Sequence, residues 1–167
     1  PVEGEALVCA LLLNYRGTAM TLQCVRDLLA VENVCLHVVV LDNASGTGEV
    51  AKLQAGVAAL DTHQHKVDVI CFDDNLGFAE GMNRGITFAH EESIPYVLVL
   101  NNDMRLSRDF VRPLVDVLRN DVSVGAVGPT ILHPDGSVWA EGGEVAFVPN
   151  GLRLIRHGKQ PSALTAG

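Results

Sequence analysis

Four short apolar runs, 6–13, 36–41, 67–72 and Tyr96–Leu100, alternate along this chain with four longer segments, 18–30, 48–60, 77–90 and 108–119, that carry apolar residues at helical spacing. Runs of this length bounded by polar turns read as strands buried in a parallel sheet, and the longer segments read as amphipathic helices. The resulting βαβα rhythm predicts an α/β fold. Right-handed crossovers put the helices on both faces of a mainly parallel sheet and every strand-to-helix loop on one edge. That edge collects Asn14-Tyr15-Arg16-Gly17, Asp42-Asn43-Ala44-Ser45-Gly46, Asp73-Asp74-Asn75-Leu76-Gly77 and Asn101-Asn102-Asp103. Beyond the fourth helix the rhythm breaks: a strand through Thr130 to Leu132 meets the turn signal His133-Pro134-Asp135-Gly136, which predicts a hairpin. The tail 151–167 has little apolar periodicity and is expected to be loosely packed.

Composition narrows the class. The chain has 167 residues, enough for one domain with a sizeable core, and 48% of them are hydrophobic against 19% charged. A net charge of -8 argues against a nucleic-acid surface, which needs clustered Lys and Arg. The run 6–13 is far too short to span a bilayer and no basic stretch precedes it, so it is expected to be a strand and not a signal segment. The expected location is the cytoplasm, with association at the inner membrane face only through regions outside this chain. Cys9, Cys24, Cys35 and Cys71 lie in or beside apolar segments without zinc or redox spacing, and are expected to be reduced core or near-core residues. His63-x-His65 falls in a polar loop and is expected to be solvated.

Candidate chemistry sits in the edge loops. Asp103, at the end of the fourth strand, is a carboxylate that can hold a metal, with the amides of Asn101 and Asn102 free to hydrogen-bond a nucleotide or sugar; an Asx turn capping the next helix explains the triplet equally well. Asp42 is expected to project into the open edge, where it can accept a base imino N–H or a ribose hydroxyl, or serve as a turn former. Asn75 to Gly85 places glycines at a strand-to-helix junction, suited to close ligand approach and to an anion at a helix N-terminus, or to tight packing of helix on sheet. Asn83 reads as a buried tie between loops. Trp139 suits either a sugar-stacking wall or a packing role. Neither a dinucleotide fingerprint nor a Walker loop is present.

In this order and spacing, Leu13-Asn14-Tyr15-Arg16-Gly17, Val40-Leu41-Asp42-Asn43-Ala44-Ser45, Asn75-Leu76-Gly77-Phe78-Ala79 with Asn83 and Gly85, and Leu100-Asn101-Asn102-Asp103 resemble the nucleotide-binding half of glycosyltransferase family 2, the inverting GT-A enzymes, and its rhamnosyltransferase-like members in particular. Val127-Gly128-Pro129, His133-Pro134-Asp135-Gly136 and Gly142-Gly143 extend the resemblance over almost the whole chain. It implies a GT-A type, Rossmann-like three-layer α/β/α sandwich, with residues 1–150 as the nucleotide-sugar-binding domain and 151–167 as the start of an acceptor-binding half. It implies Asn14, Tyr15 and Asp42 around base and ribose, Asn75 and Gly77 closing over the nucleotide, and Asn101-Asn102-Asp103 at the Asp-x-Asp position. Asp103 would share Mn²⁺ or Mg²⁺ with the donor diphosphate.

The implied activity is metal-dependent transfer, with inversion, from a dTDP- or UDP-sugar to a glycan or lipid-linked acceptor in cell-wall or surface polysaccharide synthesis. The implied catalytic base belongs to an acidic motif well beyond Gly142-Gly143, which this chain does not reach. The competing reading is a non-catalytic nucleotide-sugar-binding or interaction module on the same fold. A nucleotidyltransferase would need an early glycine-rich basic loop, and a phosphoacceptor domain a lysine ending a late strand; neither pattern is met.

Overall fold

The computed structural model describes residues 7–147 and 150–154, with side-chain environments for 7–142. Four parallel strands, β1 (Leu7–Asn14), β2 (Cys35–Asp42), β3 (Lys66–Cys71) and β4 (Tyr96–Leu100), form a sheet in the order β3-β2-β1-β4. The helices α1 (Thr18–Leu29), α2 (Thr47–Ala58), α3 (Gly77–Glu91) and α4 (Val111–Asn120) alternate with them. Most predicted boundaries differ from these by one or two residues, and α4 starts three later than its apolar spacing suggests. The chain divides into two compact units, 1–115 and 116–167.

Each face of the sheet carries its own core. On one, Val8, Ala10 and Leu12 of β1 and Val38 and Val40 of β2 pack with Cys24, Val25 and Leu28 of α1, Leu53 of α2 and Val111 and Val115 of α4. On the other, Cys9, Leu11, Val39 and Leu41 pack with Met82 and Ala89 of α3 and with Ile94. This is the three-layer arrangement that the βαβα rhythm requires. Close seating of α3 depends on two glycines: a Cβ on Gly81 would fall 2.6 Å from Leu13 Cδ1, and one on Gly85 would fall 2.8 Å from Leu41 Cδ1 and 2.9 Å from Leu11 Cδ1.

The reading of Tyr96–Leu100 as a buried strand needs correcting. β4 lies at the edge of the sheet, and Val97 and Val99 are 39% and 46% exposed. Both pair in register with Cys9 and Leu11 and so share the α3 face. The α3 glycines seat that helix over β1 and β2, leaving β4 half covered.

The return from β4 is held to α1 by polar contacts. Asp27 accepts hydrogen bonds from Arg105 Nε at 2.8 Å, Gln23 Nε2 at 3.0 Å and the Leu106 N–H at 3.3 Å, and the Glu32 N–H donates to Arg108 O at 2.9 Å. Partial burial opposes ionisation of Asp27, but these hydrogen bonds and the Arg105 charge outweigh it and hold the carboxyl below its ordinary value of 3.8. A depressed folded-state pKa contributes stability above the unfolded value and loses it as pH falls through the folded one. The gap in unfolding free energy between wild type and Asp27→Asn should therefore hold from neutrality down toward 3.8 and narrow as pH is lowered below it. Urea titrations at stepped pH would show it, and a gap that stays constant would contradict this assignment.

In the second unit, β5 (Ile131–Leu132) and β6 (Val138–Ala140) form the expected hairpin. Gly136 takes the turn at φ +84°, and His133 N–H donates to Ser137 O at 2.8 Å. β7 (Gly143–Phe147) and β8 (Asn150–Leu154) pair antiparallel, so residues 151–154, expected in a loose tail, are strand instead. The rest of that tail lies outside the described residues.

Cys9, Cys24 and Cys35 are buried and reduced as expected, whereas Cys71, ending the outer strand β3, is exposed. His65 corrects the solvated reading of its loop: it is 7% exposed, and its Nδ1 accepts the Leu36 N–H at 3.1 Å. No helix among the described residues is long and apolar enough to cross a membrane.

Candidate functional site

All four polar loops leave the carboxyl edge of the parallel sheet. β1 lies between β2 and β4, so strand order reverses beside it, and open α/β sheets bind ligands outside such a reversal. The loops at that point are Asn14 to Gly17 and Asn101 to Asp103.

Asn14 and Asp42 are register partners at the ends of β1 and β2, and both are fully buried. Asn14 Nδ2 donates to Asp42 Oδ2 at 2.7 Å, and the Ser45 N–H donates to Asp42 Oδ1 at 2.9 Å. Asp42 therefore does not project into the open edge as its sequence position suggests. Folding commits its two oxygens to closing the second loop against the first, because a buried carboxylate with unfilled acceptors would be costly. Ser45 Oγ completes the tie by accepting the Arg16 N–H at 2.8 Å.

The network continues across α1. Thr21 Oγ1 lies 2.8 Å from Asn14 Oδ1, to which it donates, and accepts from Asn102 Nδ2 at 2.8 Å. The reversal point is thus bridged from the base of the second loop to the triplet ending β4. A Cβ on Gly17 would come within 3.2 Å of Asn102 Nδ2, so glycine there leaves room for the triplet.

A second tie joins the second and third loops. Asn43, 2% exposed, donates from Nδ2 to Asn75 Oδ1 at 2.7 Å and accepts the Leu76 N–H on Oδ1 at 2.8 Å. Asn75 Oδ1 also accepts the Gly77 N–H at 2.9 Å, and Gly77 adopts φ +73°, a left-handed turn that admits glycine without penalty. Asn83, expected to be this buried tie, is exposed instead, and Asn43 performs the task. Asn75 Oδ1 thus takes the first N–H of α3, and the N-cap Leu76 has no side-chain hydrogen bond to offer the others.

Around these ties the surface is polar and open. Tyr15 is 46% exposed, with the Arg16 guanidinium 5.0 Å from its ring centroid. Arg16 and Ala44 hold φ of +55° and +61°, a conformation costly for non-glycine residues and maintained here by the surrounding hydrogen bonds. Asn101 and Asp103 are exposed, and Asn102 is half-buried. Beneath the triplet, burial first, then the charges of Asp27 and Asp103, push the Cys24 thiol up to about 12, against a smaller opposing effect of Arg105. It remains a weak donor, 3.9 Å from Asn101 O, and not a thiolate ligand.

Two surface hollows of about 230 and 340 Å³ lie elsewhere, one lined by Cys35, His37, Lys66 and Glu92 and the other by Arg26, Leu60, His63 and Arg108. Neither gathers a buried polar network like that of the carboxyl edge, which is therefore the candidate site although it is an open crevice. Trp139 is 42% exposed on β6 between buried Val138 and Ala140, so it is not a core residue of its hairpin.

Asn14, Tyr15, Asp42, Asn75, Gly77, Asn101, Asn102 and Asp103 all stand at this one edge. Thr21, Asn43 and Ser45 join them and were not singled out in the sequence. Asn43 and Ser45 belong to a recognisable polar loop, but Thr21 carries only the faint signal of a modest helix former inside a helix.

Known proteins agree with this architecture. The chain is similar in fold to a mannosyltransferase from Pyrobaculum calidifontis, solved in complex with GDP-Man and Mn²⁺, with a TM-score of 0.64 and 20% identity over 80% of this chain and 37% of that one. Uncharacterized proteins of Mycobacterium bovis and Mycobacterium tuberculosis are 41% identical to it over 56 residues, 34% of this chain. The chain spans about a fifth of the length of those curated relatives, 21%. The family model for glycosyl transferase family 2 matches residues 11–161. With nearly its whole length matched and its parallel sheet carrying the polar loops at one edge, this chain belongs to glycosyl transferase family 2.

Proposed function

We propose that the carboxyl edge binds the nucleoside diphosphate of a sugar donor, and that the chain is the donor-binding part of an inverting glycosyltransferase. The observation that carries this reading is the bridge Asp42–Asn14–Thr21–Asn102, which ties the first two loops to an exposed Asp103 across the strand-order reversal. Asn14, Tyr15 and Asp42 border the base and ribose region, with Tyr15 offering an exposed aromatic face and Asp42 holding the loop from beneath. Asn75 and Gly77 close the far side, at the N-terminal end of α3, where the helix dipole favours an anion.

A divalent cation, Mn²⁺ or Mg²⁺, fits here as a shared ion and not as a caged one. Among the described residues no three His, Cys, Asp or Glu side chains gather to enclose a metal. Asp103 supplies one exposed hard oxygen donor, and donor phosphates and water would complete the coordination. When bound, such a cation neutralises charge on the departing nucleoside diphosphate. The finer assignment, a dTDP- or UDP-sugar passed to a glycan or lipid-linked acceptor by a rhamnosyltransferase-like enzyme of surface polysaccharide synthesis, rests on the resemblance of the edge motifs.

Calorimetric titration of dTDP and UDP, each with and without Mn²⁺, tests the reading. Nucleotide affinity should rise with Mn²⁺, and Asp103→Ala should remove about tenfold or more of it, ~1.4 kcal/mol. Tight binding indifferent to Mn²⁺ and to Asp103 would instead support the non-catalytic module, which the single carboxylate of Asn101-Asn102-Asp103 favours.

A further inference from the structure

The hydrogen bonds at the carboxyl edge have a direction as well as a location. Asp42 offers only acceptors to its two partners, so Asn14 must turn its Nδ2 toward Asp42, at 2.7 Å, and its Oδ1 toward Thr21. Asn14 Oδ1 then needs a donor, and the Thr21 hydroxyl, 2.8 Å away, has one proton to give. The alternative acceptor for that proton, Gly17 O at 3.2 Å, consumes it equally. Either way Thr21 has only lone pairs left for Asn102. Asn102 must therefore present Nδ2 inward, at 2.8 Å, and its carbonyl Oδ1 outward. That oxygen accepts no hydrogen bond from the described residues and is not sealed from solvent.

We infer that Thr21 is a positioning residue that locks the Asn102 amide so that its carbonyl oxygen, next in sequence to the Asp103 carboxylate, is a second oxygen ligand for the cation bound with the donor diphosphate. An amide rotates by half a turn at little cost in water, and the wrong face would offer N–H groups to a cation. Asn102 is spared that ambiguity because Asp42, at the far end of the relay, sets the polarity of the whole chain of bonds. The arrangement supplies a neutral hard oxygen beside the one carboxylate of the triplet, matching the oxygen preference of Mg²⁺ and Mn²⁺. It also links the loop assigned to the base with the loop assigned to the cation. This inference rests on the donor-site reading above.

Thr21→Val removes the hydroxyl at nearly constant volume, and Thr21→Ser keeps it. In titrations of UDP and dTDP with and without Mn²⁺, the Val variant should lose about tenfold of the metal-dependent gain in affinity, the effect usual for removing a partner that orients a ligand. Affinity without metal should fall by much less than this, and Ser should restore the gain. A purely structural role would weaken both conditions alike. Equal Mn²⁺ enhancement in wild type and Thr21→Val would overturn this inference and leave the donor-site reading standing. No enhancement in wild type would overturn both. A second readout needs no variant: adding Mg²⁺ and nucleotide to ¹³C-labelled chain should shift the Asn102 side-chain carbonyl carbon, and an unmoved resonance in a nucleotide-bound chain would refute ligation by that oxygen.

Discussion

Replacing Asp42 by alanine is expected to destabilise the fold by about 2–6 kcal/mol, because two buried donors lose their acceptor and each stranded group costs about 1–3 kcal/mol. The donors are Asn14 Nδ2, at 2.7 Å, and the Ser45 N–H, at 2.9 Å, at a site with no solvent exposure. Asn14 Nδ2 keeps only its longer contact to Ser45 Oγ at 3.3 Å, which is a poor substitute. Asp42→Asn should cost less, since it retains the volume and one acceptor. Chemical denaturation of the three proteins would check this ordering. An alanine variant as stable as wild type would mean that water replaces the carboxylate and that the site is less sealed than its geometry indicates. The substitution should also weaken nucleotide binding, because Asp42 anchors both loops assigned to the base.

Leu11→Ala should cost about 2–5 kcal/mol, the range for truncating a fully buried leucine. Leu11 has no exposed surface and lies beneath α3 with Leu41, Met82 and Ala89. Its coupling to Gly85 makes the prediction specific. In wild type, a Cβ at Gly85 would meet Leu11 Cδ1 and Cδ2 at 2.9 Å and Leu41 Cδ1 at 2.8 Å. Gly85→Ala therefore trades an overpacking cost of about 1–3 kcal/mol against roughly 1 kcal/mol of helix propensity. Once Leu11 is shortened, both of its contacts vanish and the new methyl enters the space left behind. The double variant should be more stable than the sum of the singles by about 0.5 kcal/mol or more. Strict additivity in a denaturation cycle would show that α3 moves away from the sheet instead of holding its seat over these glycines.

The legible part of the site was its address. Asn14, Asp42, Asn75 and Asn101 to Asp103 follow apolar runs, and chain order with right-handed crossovers is enough to bring such loops to one edge. Which side chains remain available there was not legible. Asp42 and Asp103 each end a strand and differ in this respect only through packing: Asp42 is sealed, whereas Asp103 is exposed beyond an edge strand. Asn43 holds the role expected of Asn83 for a related reason. Asn43 directly follows β2 and points at the third loop, while Asn83 falls on the exposed side of α3, away from the stripe formed by Gly81, Met82, Gly85 and Ala89.

By itself the sequence determined the alternation of strands and helices, the parallel sense of the sheet and the identity of the loops at its carboxyl edge. These follow from hydrophobic period and chain connectivity, which are local properties of the order of residues. Only the tertiary structure decided that β4 lies half exposed, that His65 is buried, that the Asp42 carboxylate is occupied inside the protein and that Thr21 joins Asn14 to Asn102. Those outcomes depend on which donors and acceptors meet once water is excluded. Residues 81 positions apart, such as Thr21 and Asn102, become partners only when the sheet has brought their elements together.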